Sequence, residues 1–246
     1  MLFIGTATVY LEISGLKILV DPSFYHANKT IHLGWGLRSK RLIPPAIDIS
    51  DLPKPNMVLI SHTHKDHWDD EAKAGIDRDT KIITNQKAAI KLQRDGSTKV
   101  IGLSNGESHQ QDPIKIKALP AQHGPKFMIP FTGSVIGFGI ETKNGNIWIS
   151  GDTIGTKSLD LALEEFDPKI GIVYFGGVRY ILPKLTFDAK NGKQTVEKTE
   201  MDICYPVHFD DWSHFRTTRA QIEKEFSDIS TKLVFPPRGE TIDLWK

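Results

Sequence analysis

Ser61-His62-Thr63-His64-Lys65-Asp66-His67-Trp68 places three imidazoles and one carboxylate within a single short segment. It follows directly on Met57–Ile60, an apolar run that predicts a short buried strand. Where the chain stays extended past a strand end, side chains two residues apart point to the same side, so His62 and His64 can grip one ion together. Asp66 and His67 come after the chain turns and can face a second ion. Two ions held roughly 3.5–4 Å apart can share a water and make it a hydroxide near neutral pH. A lone His-x-His also fits a polar surface loop. The added Asp-His at this offset, on a strand–loop junction, makes it a metal-ligand pattern.

Two ions need more donors than this segment offers, and three later strand ends supply them. His123 follows the predicted strand at 114–121, Asp152 the one at 147–150, and His208 the one at Ile203–Val207. Each alone is more often a cap, turn or satisfied polar residue. Taken with the first cluster, they complete a two-ion site of nitrogen and oxygen ligands.

Working outward, apolar segments at 2–13 and Leu16–Val20, separated by Ser14-Gly15, predict a strand–turn–strand start that stops at Asp21-Pro22. Residues 23–55 are irregular and carry His26, His32, Trp35, Arg38 and Arg41, as a functional loop or lid would. Further strands are expected at 82–84, Val100–Leu103, 135–142 and 170–175, and helices over Gln86–Arg94, 158–166 and 218–229. Strands in two groups, each followed by strand–helix alternation, predict one α/β domain over 1–246, built from two packed sheets with outer helices.

The chain has 246 residues, 39% of them hydrophobic and 25% charged, with a net charge of +1. That composition is globular, and the charge gives no general pull toward nucleic acid or membrane. The single Cys204, in an apolar run, excludes an internal disulfide and a thiolate cluster for zinc. Neither a signal-peptide pattern nor a run of apolar residues long enough for a membrane span is present, so a cytoplasmic location is expected.

The ordered set His62, His64, Asp66, His67, then His123, Asp152 and His208, resembles the metallo-β-lactamase superfamily pattern His-x-His-x-Asp-His, His, Asp, His. Gly5-Thr6-Ala7-Thr8 through Asp21-Pro22, and the segment from His208 to Phe215, are similar to the branch that includes ascorbate-6-phosphate lactonase and N-acylphosphatidylethanolamine phospholipase D. Thr6 stands where many members of that branch have His. The resemblance implies an α+β, four-layered αβ/βα sandwich with its metals at one edge of the two sheets. It also implies that His62, His64 and His123 hold one ion, that Asp66, His67 and His208 hold the other, and that Asp152 bridges them.

The expected activity is hydrolysis of a small ester, lactone or phosphodiester by a hydroxide bridging two divalent ions, with Asp66 also orienting that hydroxide. Histidine and carboxylate without thiolate suit zinc, with manganese or iron chemically acceptable. His214 and His109 are the non-ligand histidines available as proton donors. Trp35, Arg38, Lys40 and Arg41 could form one wall of a pocket for an anionic substrate, and Arg179, Tyr180 and Lys184, after Gly176-Gly177, another. The same residues also fit solvated charged loops. A nuclease of the same superfamily and a non-catalytic metal-binding protein are the competing readings. The near-neutral charge and the short chain weigh against the first, and the complete ligand set against the second.

Overall fold

A computed structural model describes residues 1–34, 37–179 and 183–246. The first part of the chain forms β1 (Leu2–Gly5), β2 (Thr8–Ile13), β3 (Leu16–Val20), a separate hairpin of β4 (Thr30–Gly34) and β5 (Leu37–Lys40), β6 (Met57–Ile60), α1 (Asp70–Gly75), β7 (Lys81–Asn85), α2 (Gln86–Arg94) and β8 (Val100–Leu103). There follow β9 (Ser108–Gln111), β10 (Ile114–Pro120), α3 (Ile129–Thr132), β11 (Ile136–Thr142), β12 (Gly145–Ile149), α4 (Lys157–Phe166), β13 (Pro168–Tyr174), α5 (Ala189–Thr199), β14 (Ile203–Val207), α6 (Arg219–Glu225) and β15 (Lys232–Leu233). One sheet has the order β1-β2-β3-β6-β7-β8 and the other β15-β14-β13-β12-β11-β10-β9.

Alternation along the strands explains the layering, because successive side chains leave opposite faces of a sheet. Met57 and Leu59 of β6 enter a core shared with Ile170, Ile172 and Tyr174 of β13 and Tyr205 of β14, between the two sheets. Val58 and Ile60 turn the other way, onto Trp68, Ala72 of α1 and Leu92 of α2. On the second sheet Val173 and Cys204 face outward onto Leu159 and Leu163 of α4, Val196 of α5 and Ile222 of α6. The result is the αβ/βα sandwich: helices, sheet, sheet, helices. Among the described residues no helix is long and apolar enough to cross a membrane. Cys204 is fully buried in the outer core, and burial pushes its thiol up, as its apolar surroundings require.

Several elements depart from expectation. The segment 2–13 is two strands, not one, because Gly5 (φ 144°) and Thr6 (φ 47°) turn the chain back on itself and pair β1 with β2. Residues 23–55 contain the β4–β5 hairpin, whose polar side chains hide the alternation. The polar stretch beyond Phe187 is α5, which buries Ala189, Gly192, Thr195 and Val196, small or polar residues that carry no apolar periodicity.

Candidate metal centre

The C-terminal ends of neighbouring strands in both sheets meet at one edge, as ligand sites in open α/β sheets do. β6 runs into Ser61 and His62, β12 into Asp152, β14 into His208, and β10 into the loop carrying His123. At the junction Gly151 has φ +60°, and a Cβ there would lie 2.8 Å from the Ile136 carbonyl oxygen and 3.2 Å from Ser61 Cβ. Only glycine lets the two sheets close this tightly.

Three donor groups result, each with ligand atoms within 4.8 Å of one another: His62, His64 and His123; His62, His67 and Asp152; and Asp66, His67 and His208. The first and third are the sets that the family resemblance implies for two ions, and Asp152 adjoins histidines of both. Its Oδ2 is 3.5 Å from His67 Nε2 and 3.6 Å from His123 Nε2. His62 Nε2 and His64 Nδ1 are 3.0 Å apart. Asp66 Oδ2 lies 3.5 Å from His208 Nε2 and 3.6 Å from His214 Nε2. His67 Nε2, Asp152 Oδ1 and both ring nitrogens of His208 are buried without a hydrogen-bond partner. Buried polar atoms are costly to leave unpaired, so this convergence of orphaned donors fits divalent cations.

A second ring of contacts aims the imidazoles. Asp21, fully buried with φ 39°, accepts from Ser61 N at 2.6 Å and Ser61 Oγ at 2.7 Å through its two oxygens. Its Oδ2 also meets His67 Nδ1 and the Tyr174 hydroxyl, each at 3.0 Å. His123 Nδ1 faces the Leu185 carbonyl at 2.9 Å, which leaves Nε2 toward the cluster. Such partners fix ring orientation and raise ligand basicity. His208 sits at φ 60°, and its N–H donates to the Thr6 carbonyl at 2.9 Å. Thr6, in place of the branch's His, is itself fully buried.

The electrostatics divide the cluster. Burial, with neighbouring imidazoles, pushes His62 well below its ordinary value and His64 to about 4, so both rings are neutral. Burial also opposes charge on His67, but Asp152, Asp66 and Asp21 outweigh it and hold that imidazole well above its ordinary value. Desolvation raises Asp66 and Asp152, yet the surrounding histidines hold both carboxyls well below the usual range.

The cluster forms the floor of a cavity of about 450 Å³, reached by His64, Asp66, His123 and Asp152. Arg38, Arg179, His214 and Arg216 line it. Arg41 corrects the expectation of a pocket wall. It is fully buried, donating to the Ile43 carbonyl at 2.6 Å and lying 3.5 Å from Asp211, and so braces the loop after His208. Lys184 pairs with Asp188 at 2.6 Å, outside the cavity lining, and Lys40 is exposed on β5. His109 lies on β9, away from the cluster, so of the two candidate donors only His214 is near it, with Nδ1 2.6 Å from Ser39 Oγ. Trp35 and Tyr180 fall outside the described residues. Gly177 (φ +60°) packs on Thr217, where a Cβ would meet Oγ1 at 2.2 Å, so the glycine pair makes a tight turn. Asp21, Tyr174 and Arg216 were missed by sequence reasoning. The one available signal was a carboxylate ending an apolar strand beside the strand that ends in the His cluster.

Fold and site together define a metal-site protein of the αβ/βα sandwich class. A family profile described as a beta-lactamase superfamily domain matches residues 17–209, and the chain belongs to the metallo-β-lactamase superfamily. It is 26% identical to a metal-dependent hydrolase of Flavobacterium johnsoniae over 98% of each chain. A second metal-dependent hydrolase, from Methanopyrus kandleri, is 21% identical over the same share of each. Among solved structures, an isothiocyanate hydrolase from Delia radicum gut bacteria superposes with a TM-score of 0.86 at 24% identity, over 99% of each chain.

Proposed function

We infer that this chain, a metal-dependent hydrolase of the metallo-β-lactamase superfamily, holds two divalent ions and cleaves a small ester, lactone or phosphodiester. The observation that carries this reading is the convergence of unpartnered, buried His67 Nε2, His208 Nε2 and Asp152 Oδ1 beside a cavity that Asp66 and Asp152 line. The all-nitrogen-and-oxygen donor set favours zinc, with manganese or iron next. His62, His64 and His123 would hold one ion, Asp66, His67 and His208 the other, with Asp152 shared. When bound, such ions polarise a carbonyl or phosphoryl oxygen and lower the pKa of water to near neutrality.

The chain's own groups supply the rest. Asp66, ionised and reaching the cavity, orients the attacking water at Oδ2. His214, fixed by Ser39, stands 3.6 Å from that oxygen, in place to pass a proton toward the leaving group. Apolar Met128, Val178 and Leu185 limit water on the remaining walls.

Metal analysis of the purified, reconstituted protein, paired with a screen over lactones, phosphodiesters, thioesters and isothiocyanates, tests the reading. Stoichiometric metal with turnover on one class is expected. Sub-stoichiometric metal and no turnover would favour a non-catalytic scaffold. Asp66→Ala should lower turnover by about 100-fold or more while the circular dichroism spectrum is unchanged. Near wild-type activity in that variant would remove Asp66 from the reaction.

A further inference from the structure

Outside the metal cluster, the charged residues lining the cavity are all arginines among the described residues: Arg38, Arg179 and Arg216. The carboxylates on the lining, Asp66 and Asp152, belong to the metal groups. Arg179 is engaged by Asp188 at 3.4 Å. Arg41, Arg219 and Arg238 likewise each meet a carboxylate. The side chains of Arg38 and Arg216 meet none among the described residues.

The segments that carry these two arginines adjoin at one wall of the cavity. Arg38 precedes Ser39, whose Oγ contacts His214 Nδ1 at 2.6 Å, and Arg216 lies two residues past His214. The Arg216 backbone is held by a hydrogen bond from its N–H to the Gly176 carbonyl at 2.9 Å. Arg216 and Arg179 also line a second cleft of about 360 Å³, together with Lys190 and Lys224 and the carboxylates Asp188 and Glu225. The other described lining of the metal-site cavity is largely apolar: Leu33 and Leu37 from the β4–β5 hairpin, Met128 beside α3, Val178 and Leu185. Leu33 and Leu37 are 38% and 45% exposed, a cost in water that an apolar ligand group would relieve.

We propose that the substrate is a small amphiphilic anion whose carboxylate or phosphate is held by Arg38 and Arg216, with its apolar part against Leu33, Leu37, Met128 and Leu185. Planar guanidiniums donate paired hydrogen bonds to either anion, and a cavity whose only carboxylates belong to the metal groups has no other carboxylate to repel it. The anionic group is then a recognition handle, separate from the bond that is cleaved. This inference rests on the hydrolase reading for the word substrate. The binding preference it predicts is measurable without turnover.

The test compares binding of octanoate, octyl phosphate and the neutral octanamide to the metal-replete protein by calorimetry. Bound ions attract the anions too, so the decisive quantity is how the anion-over-amide preference changes when the guanidiniums are removed. In the double variant R38Q/R216Q that preference should fall by about tenfold or more. In R38K/R216K, which keeps the charge, most of it should return, and the relative affinity of the two anions separates carboxylate from phosphate recognition. An unchanged preference in R38Q/R216Q, with metal content and circular dichroism intact, overturns the proposal. So does a wild-type protein that binds octanamide as well as the anions. A preference that behaves as expected, together with a failed hydrolysis screen, would instead remove the hydrolase reading and leave an anion-binding metal protein.

Discussion

Asp21 shows what a single side chain contributes to the centre. It touches no donor group directly apart from His67, yet it also joins Ser61 and Tyr174, and so ties β3, β6 and β13 together. Asp21→Asn removes the charge behind the His67 ring, and metal affinity measured by chelator competition should fall by about 10–100-fold. Unchanged affinity would show that His67 is oriented by packing alone. His67 carries a second consequence. Its imidazole, held well above its ordinary value by Asp152, Asp66 and Asp21, keeps a proton at neutral pH in the metal-free protein. An ion must displace that proton, so uptake releases it, and apparent affinity rises with pH through and above neutrality. His62 and His64 are already neutral and add nothing to this release. Calorimetry in two buffers of different ionisation enthalpy counts the protons, and a count of zero at neutral pH would contradict the assignment.

At the scale of the elements, the centre depends on strand ends that approach within van der Waals contact. Gly151→Ala adds a methyl 2.8 Å from the Ile136 carbonyl oxygen, at a φ of +60°. Left-handed backbone and collision together should cost about 1–3 kcal/mol in urea unfolding. A change within about 0.5 kcal/mol would mean the junction relaxes freely. Elements also mark where sequence reading succeeds and stops. Met57–Ile60 was legible because each of its residues is buried and its end is marked by His62. α5 was not, because Gly192 and Thr195 face Phe175 and the core, and contact between a glycine and an aromatic ring leaves no apolar period. β9, Ser108–Gln111, is a polar edge strand whose pairing with β10 comes from a neighbour rather than from its own pattern. His62, His64, Asp66 and His67 stood out because so many ion donors crowd one segment, whereas His123, Asp152 and His208 were legible only from their strand-end positions and the order of the family pattern. Arg216 was not legible, because nothing in an exposed arginine's surroundings in sequence tells a pocket wall from solvent.

For the molecule as a whole, the donor groups draw on both sheets, so bound ions would add a clamp between layers joined by apolar packing and by polar contacts such as Tyr174 to Asp21. A ligand that binds only the folded state stabilises it by mass action, about 2.7 kcal/mol at a free concentration 100 times Kd. Chelation should therefore lower the thermal midpoint, and readdition of zinc or manganese should restore it. A midpoint indifferent to chelator would mean the donors do not hold an ion in the folded protein.

The order in which these donors occur along the chain has a consequence for biogenesis. A polypeptide emerging from the ribosome exposes His62, His64, Asp66 and His67 early, but His208 is added only after β14 has been made. Until then one half of the centre has no closing ligand, while the histidine triad that ends at His123 is already complete. Loading is thus expected to be stepwise in time, with a first ion capturable by the nascent chain and a second only near the end of synthesis.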